Sequence, residues 1–216
     1  MAKRLFVVGG NGLAKECVQY IRWNIMVGAN IELGGLVGHN GYVVDFGEDL
    51  NKLFVGDLST MKFGPDDYCI IGAGYPELRR KIYFDIKKYG GKLDNLCDPS
   101  CSIPDGIDIG EGNIILSTPL TGYTGIKIGN GNLFNGNIVV GHDSQIGDFN
   151  FFGPSTHILG GVKIGNDNII GTNAVLLAHA KIGNHNKIAP LSCVYRGCKD
   201  SCYMLGNPAE KVGTVE

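Results

Sequence analysis

Five histidines are spread along the chain, and one of them, His142, stands directly after Val139-Val140 and beside Asp143. An imidazole ordinarily titrates near neutral pH, so its neutral form can take a proton from an attacking amine or hydroxyl. A carboxylate on its other nitrogen would fix the tautomer and raise the basicity, as in catalytic triads. Neighbours on a strand point to opposite sides, so His142 and Asp143 can cooperate only at a corner. A second chemistry is offered by two glycine loops, Gly9-Gly10-Asn11-Gly12 and Gly72-Ala73-Gly74, each placed after a short apolar run and before a helix-like stretch. Strand, glycine loop and helix N-terminus aim backbone N–H groups at an anion, and a phosphate is the natural guest. The three-glycine dinucleotide pattern is half met, because Lys15 fills its third position, so NAD binding is not expected.

Other chemistries are disfavoured. The seven cysteines form no paired C-x-x-C units, neither at Cys97 and Cys101 nor among Cys193, Cys198 and Cys202, so no metal is expected. Their odd number, and the absence of a secretion-signal pattern over Met1 to Val8, point to reduced thiols and a cytoplasmic protein. Apolar runs such as Leu5 to Val8 are far too short to span a membrane, and a net charge of −2 offers nucleic acid no broad attraction.

The elements that must position these residues are announced by glycine, 34 of 216 residues, which lacks any every-third-residue period. Stepping by six from Ile128 meets Phe134, Val140, Ile146, Phe152, Ile158, Ile164, Ile170, Leu176, Ile182, Ile188 and Val194, all large and apolar. Chance gives such a run a probability of roughly 2⁻¹². A period of eighteen lies above it, in Ile128-Gly129-Asn130, Ile146-Gly147-Asp148, Ile164-Gly165-Asn166 and Ile182-Gly183-Asn184. Six is no multiple of 3.6 or 3.5, so neither a helix nor a coiled coil can use this pattern. A three-sided stack of short strands can: each hexad supplies one side, its apolar residue points inward, and Gly or Asn takes the corners. An earlier copy at Ile109-Gly110 lies nineteen residues before Ile128, so one extra residue is expected between Ser117 and Gly125. The solenoid then runs from about Ile103 to Val194, on the order of five turns.

The N-terminal third reads as a small parallel α/β domain, Rossmann-like in its order. Strands are expected at Lys3 to Val8, Gly35 to Val37, Tyr68 to Ile71 and Lys92 to Leu96, with helices at Leu13 to Trp23 and Glu77 to Lys88. Two glycine loops at strand ends would meet at one edge of such a sheet. The boundary is expected near Asp98-Pro99-Ser100, giving domains 1–98 and 99–216.

The hexads, with Gly206-Asn207-Pro208-Ala209 after the last turn, resemble the hexapeptide-repeat acyltransferases, and that resemblance supplies a left-handed parallel β-helix. The order of Gly9-Gly10-Asn11-Gly12, Ile71-Gly72-Ala73-Gly74, Arg79 to Ile82, Asp98-Pro99-Ser100 and Gly141-His142-Asp143 resembles one branch, the PglD/NeuD/PerB-like nucleotide-amino-sugar acetyltransferases. The resemblance implies acetyl-CoA as co-substrate, a UDP- or dTDP-linked amino sugar as acceptor, and a homotrimer with sites between subunits. It assigns the catalytic base to His142 and its acidic partner to Asp143. Substrate-binding positions are Gly10, Asn11, Gly12, Leu13, His39 and Gly74; coenzyme-binding positions are Phe151, Gly160, Gly161, Thr172 and Pro190. Phe151 stands where relatives carry a second histidine, and Gly38-His39-Asn40 where they carry acidic residues. Some β-helix carbonic anhydrases hold zinc with histidines five apart, but His179 and His185 are six apart. Two rival readings share these features: O-acetylation of a sugar of the sialic acid type, and a non-catalytic sugar-nucleotide binding protein.

Overall fold

The computed structural model describes residues 2–10, 12–40, 48–101, 103–117 and 124–215. By its contacts the chain divides into two compact units, Met1–Pro99 with Glu111–Ile114, and Ser100–Gly110 with Ile115–Glu216.

The first unit runs β1 (Lys3–Val8), α1 (Gly12–Met26), β2 (Ile31–Gly38), α2 (Glu48–Asn51), β3 (Phe54–Asp57), β4 (Asp67–Ile71), α3 (Pro76–Lys88) and β5 (Lys92–Leu93). The strands form one parallel sheet in the order β3-β2-β1-β4-β5, the half-order of a doubly wound fold. Ala14, Cys17, Val18 and Ile21 recur at helical spacing on α1 and are buried. Pro76 opens α3, whose buried face is Pro76, Arg79, Ile82 and Ile86. Phe6, Val8, Val37, Leu58, Cys69, Ile71, Ile82 and Ile86 share one core. Three strands differ from the sequence reading, the first being β2, which begins at Ile31 rather than Gly35. The edge strand β3 was not expected, because Phe54 and Val55 are exposed and show no alternation. The expected strand Lys92 to Leu96 is split: β5 ends at Leu93, Asp94 pairs with Lys3, the Asn95 side chain accepts the Asn113 N–H, and Leu96–Cys97 forms a separate two-residue strand.

The second unit is a parallel β-helix of two- and three-residue strands. Ile128, Ile146, Ile164, Ile182 and Cys198 stack in register on one side. Phe134, Phe152, Ile170, Ile188 and Met204 form the second ladder, and Val140, Ile158, Leu176 and Val194 the third. All twelve residues of the six-step series are at most 5% exposed. Phe134 and Phe152 stack inside at 4.8 Å between ring centroids. Beside the ladders runs a buried column of asparagines. In it Asn150, Asn168 and Asn186 each donate a side-chain N–H to the preceding asparagine Oδ1, which also accepts their backbone N–H. Each coil thus satisfies the buried backbone donors of the next.

The extra residue of the first coil can be located. Asn137 donates to Ser117, twenty residues back, whereas Asp143 donates to Thr124, nineteen back as in the later coils. The insertion therefore falls between Ser117 and Thr124; residues 118–123 lie outside the described set. The last coil is two residues short, since Ile182 pairs with Cys198 and Ile188 with Met204. Strands Cys202–Gly206 and Ala209–Thr214 then form an antiparallel hairpin on the end of the stack, covering an edge that would otherwise offer unpaired groups.

The corners correct the expectation that Gly or Asn would occupy them. Positive φ recurs every six residues from Gly125 to Leu191, yet nine of these twelve corner residues are not glycine, and only two of the nine, Asn137 and Asn173, are asparagine. Glycines such as Gly147 have another cause: a Cβ there would lie 2.6 Å from the Gly165 carbonyl of the next coil.

Candidate active site

His142 and Asp143 turn the corner after the strand Val139–Val140. Asp143 takes φ 57°, the left-handed conformation that swings its side chain to the same side as its neighbour. The corner is fixed from both sides: the Asp143 N–H donates to Thr124, and the Gly161 N–H donates to His142. The imidazole Nδ1 then lies 2.8 Å from Asp143 Oδ2, with both side chains 64% exposed. Beneath the ring is Gly160, where a Cβ would sit 2.6 Å from Nε2 and 2.8 Å from Cε1. Only glycine leaves that space to the imidazole. The adjacent Gly161, at φ 70°, is covered in the same way by the His179 ring of the following coil. Two imidazoles therefore flank one pair of glycines, and the Gly160 N–H donates to no described group.

Of the coenzyme-binding candidates, Gly160 and Gly161 share this corner. Thr172 and Pro190 do not: they stack at a different corner, where a Cβ on Gly171 would meet the Pro190 nitrogen at 2.5 Å. Twelve residues separate Gly160 from Thr172, which is two sides of a three-sided coil. Phe151 is half-buried on the strand that leads to the Thr172 corner, between Leu133 and Ile169. His179 was not among the candidates; its place over Gly161 follows from the eighteen-residue register.

The α/β unit holds a cavity of about 400 Å³ lined by Gly9, Gly10, His39, Asn40, Ala73, Leu78, Lys81 and Ile82. It lies at the carboxyl ends of β1, β2 and β4, where the strand order reverses and ligands of such sheets bind. The two glycine loops meet there: a Cβ on Gly9 would be 2.5 Å from the Gly72 carbonyl. Gly10 and His39 line the cavity. Gly12 and Leu13 begin α1, and Gly74 follows the lining residue Ala73; these three are not lining residues. Asn11 lies outside the described residues. Leu78, Lys81 and Ile82 were missed as cavity residues, although their spacing on a helix after a glycine loop puts them on one face.

Two buried polar groups shape this unit. Arg79 is fully buried and donates to the carbonyls of Ile71, Ala73 and Gly112, which ties down the second glycine loop. Desolvation pulls its pKa down to about 10, so it stays charged at neutral pH. His39 is buried, with Nε2 2.7 Å from Asp85 Oδ2 of α3. Among the described residues no group of three or more His, Cys, Asp or Glu is placed to hold a metal ion. No described helix is long and apolar enough to cross a membrane.

Residues 143–178 match the family model of the bacterial transferase hexapeptide, six repeats. No curated protein sequence matches the chain significantly. Among solved structures, a variant perosamine N-acetyltransferase from Caulobacter crescentus, in complex with CoA and GDP-perosamine, is similar at TM-score 0.83 and 23% identity, over 97% of this chain and 96% of that one. The acetyltransferase domain of PglB from Neisseria gonorrhoeae is similar at TM-score 0.80 and 21% identity, over 97% and 100% of the two chains. WeeI from Acinetobacter baumannii follows at TM-score 0.73 and 22% identity, over 96% and 99%. The chain thus carries the repeat of the bacterial hexapeptide transferases and, along nearly its whole length, the fold of solved sugar acetyltransferases of that kind.

Proposed function

We propose that the protein transfers an acetyl group from acetyl-CoA to the amino group of a nucleotide-linked amino sugar destined for a bacterial surface polysaccharide or lipopolysaccharide, with His142 as general base. UDP- and dTDP-linked sugars are the expected acceptors, and the GDP-perosamine held by a similar structure adds GDP-linked sugars. The observation that carries this reading is the exposed His142–Asp143 pair at 2.8 Å over Gly160. With the carboxylate ionised, Nδ1–H donates to Oδ2 and Nε2 keeps its lone pair for a substrate proton. Nε2 takes a proton as the sugar nitrogen attacks the thioester carbonyl. Collapse of the tetrahedral adduct breaks the C–S bond, the amide forms, and the imidazole returns the proton to the departing thiolate. The unengaged Gly160 N–H is a fitting donor to the oxyanion, and no protein nucleophile is needed.

The glycine loops with Lys81 suit the diphosphate, and the apolar wall of Ala73, Leu78 and Ile82 suits the flat face of a base. The CoA bound in the perosamine N-acetyltransferase structure supports CoA as the second ligand. A homotrimer with sites between subunits would explain why Gly160 and Thr172 occupy different corners, and it would bury the exposed Leu191 and Tyr195. All seven cysteines are free, in keeping with a reducing cytoplasm.

Acetyl-CoA and a panel of UDP-, dTDP- and GDP-linked amino sugars, with a sialic acid as hydroxyl acceptor, test the reading by release of free thiol. His142→Ala should lower turnover by about 10²-fold or more and leave ligand affinity intact. Absence of thiol release across the panel, or full turnover in His142→Ala, refutes it.

A further inference from the structure

We propose that His39, held by Asp85, selects the nucleoside of the bound ligand by accepting a hydrogen bond from one of its N–H or O–H groups. This rests on the reading of the α/β cavity as a nucleotide-sugar site and names the feature of the ligand that the site recognises.

The side chain of His39 is only 8% exposed and follows β2 at the cavity wall. Its Nε2 lies 2.7 Å from the Asp85 carboxylate, and Nδ1 has no partner among the described residues. Among the described residues no buried side-chain nitrogen or oxygen is both sealed from solvent and unpartnered, so Nδ1 keeps an open approach. The open space that His39 borders is the cavity. A carboxylate can only accept, so Nε2 carries the hydrogen, and in the neutral form of the ring Nδ1 is the acceptor. Asp85 thereby fixes both the ring's orientation and the sense of the bond it offers.

The rest of the lining sorts the ligand around that acceptor. The glycine loops and the cation of Lys81 suit phosphate, while Ala73, Leu78 and Ile82 are apolar. Among the described lining side chains other than the neighbouring Asn40, His39 is then the one able to accept a hydrogen bond. A nucleoside offers donors of two kinds, the ring N–H of a uracil, thymine or guanine and the hydroxyls of the ribose. An acceptor so deeply buried rejects a ligand that lacks the donor, because its lone pair would then be left without a partner.

Calorimetric titration of the full chain with UDP, 2′-deoxy-UDP and N3-methyl-UDP, and with GDP, 2′-deoxy-GDP and N1-methyl-GDP, separates the two sources. In the tighter series one derivative should bind about five- to tenfold more weakly than its parent, the 2′-deoxy form if the ribose is read and the N-methyl form if the base is. In His39→Ala the parent should fall to the affinity of that derivative, and the derivative should lose nothing further. His39→Asn, which keeps an acceptor near the Nδ1 position, should restore part of the discrimination. Equal binding of parent and both derivatives overturns the assignment. So does a penalty that persists undiminished in His39→Ala. Should His39→Ala not fold, the wild-type series and His39→Asn decide alone. If nucleotides bind and His142-dependent transfer proceeds without this pattern, only the role of His39 falls. If no nucleotide binds at millimolar concentration, the nucleotide-sugar reading falls with it.

Discussion

Replacing Gly160 by alanine should disable the base without unfolding the protein. The backbone of Gly160 is not in the left-handed region, so alanine meets no conformational penalty there. Its Cβ would lie 2.6 Å from His142 Nε2, 2.8 Å from Cε1 and 3.1 Å from Cδ2, and ordinary contact begins at 3.4 Å. Nε2 must therefore withdraw by about 0.8 Å or more. The imidazole is 64% exposed and can swing outward, so the coil need not move. A misplacement near 1 Å can cost about 10²-fold in rate, about 2.7 kcal/mol of barrier. Thiol release by Gly160→Ala should accordingly drop by about 10²-fold, close to the loss in His142→Ala, while the melting temperature changes by no more than about 2 °C. Gly161→Ala behaves differently, because φ 70° adds about 1 kcal/mol of backbone strain and the His179 ring fills the space. Wild-type turnover in Gly160→Ala would refute the reasoning. An inactive variant that also melts much earlier would relocate the effect from the base to the coil.

Three further outcomes follow from the packing. Asn168→Ala removes the acceptor of the Asn186 backbone and side-chain N–H groups and the donor to Gly183, all in the buried column. Orphaning these groups should cost about 2–4 kcal/mol in urea denaturation, whereas a loss under about 0.5 kcal/mol would contradict the ladder's role. Asp67 is held below its usual range first by its hydrogen bonds from Arg4, so its stabilisation is complete above the unfolded-state value and is lost as pH falls through the lowered one. Urea midpoints measured from pH 5 down to pH 2.5 should fall more steeply in wild type than in Asp67→Asn; parallel curves would argue against it. Burial pushes Cys17 and Cys69 up to about 12, so a thiol reagent at pH 8 should spare these two in the folded chain and modify the partly exposed Cys97, Cys101 and Cys193 first. Early labelling of Cys17, read by peptide mass, would contradict the packing of α1.

The solenoid was legible because its signal is local and repeated. Each coil asks the same question of every sixth residue, and a side chain such as Ile146 or Leu176 answers it without regard to distant sequence. The same periodicity put His142 outside the stack at a corner, and the nineteen-residue step from Ile109 to Ile128, one more than the regular eighteen, announced the extra residue that falls between Ser117 and Thr124. The first unit was legible to the extent that apolar runs and glycine loops mark strand ends; exposed β3 carries no such mark.

Tertiary structure alone decided what depends on partners far apart in the chain. His39 and Asp85 are separated by 46 residues, and only the packing of α3 on the sheet pairs them. Arg79 is buried because its guanidinium meets the carbonyls of Ile71, Ala73 and Gly112, the last 33 residues away in the chain, and nothing in the helix sequence around it announces those partners. The corner that joins His142, Gly160 and His179 exists because successive coils lie in register, so residues eighteen or so apart become neighbours across a strand spacing. Sequence periodicity determines which side chains face inward, since that is set by the local strand repeat; which outward-facing groups meet is set by how coils and layers stack, and no single hexad carries that information.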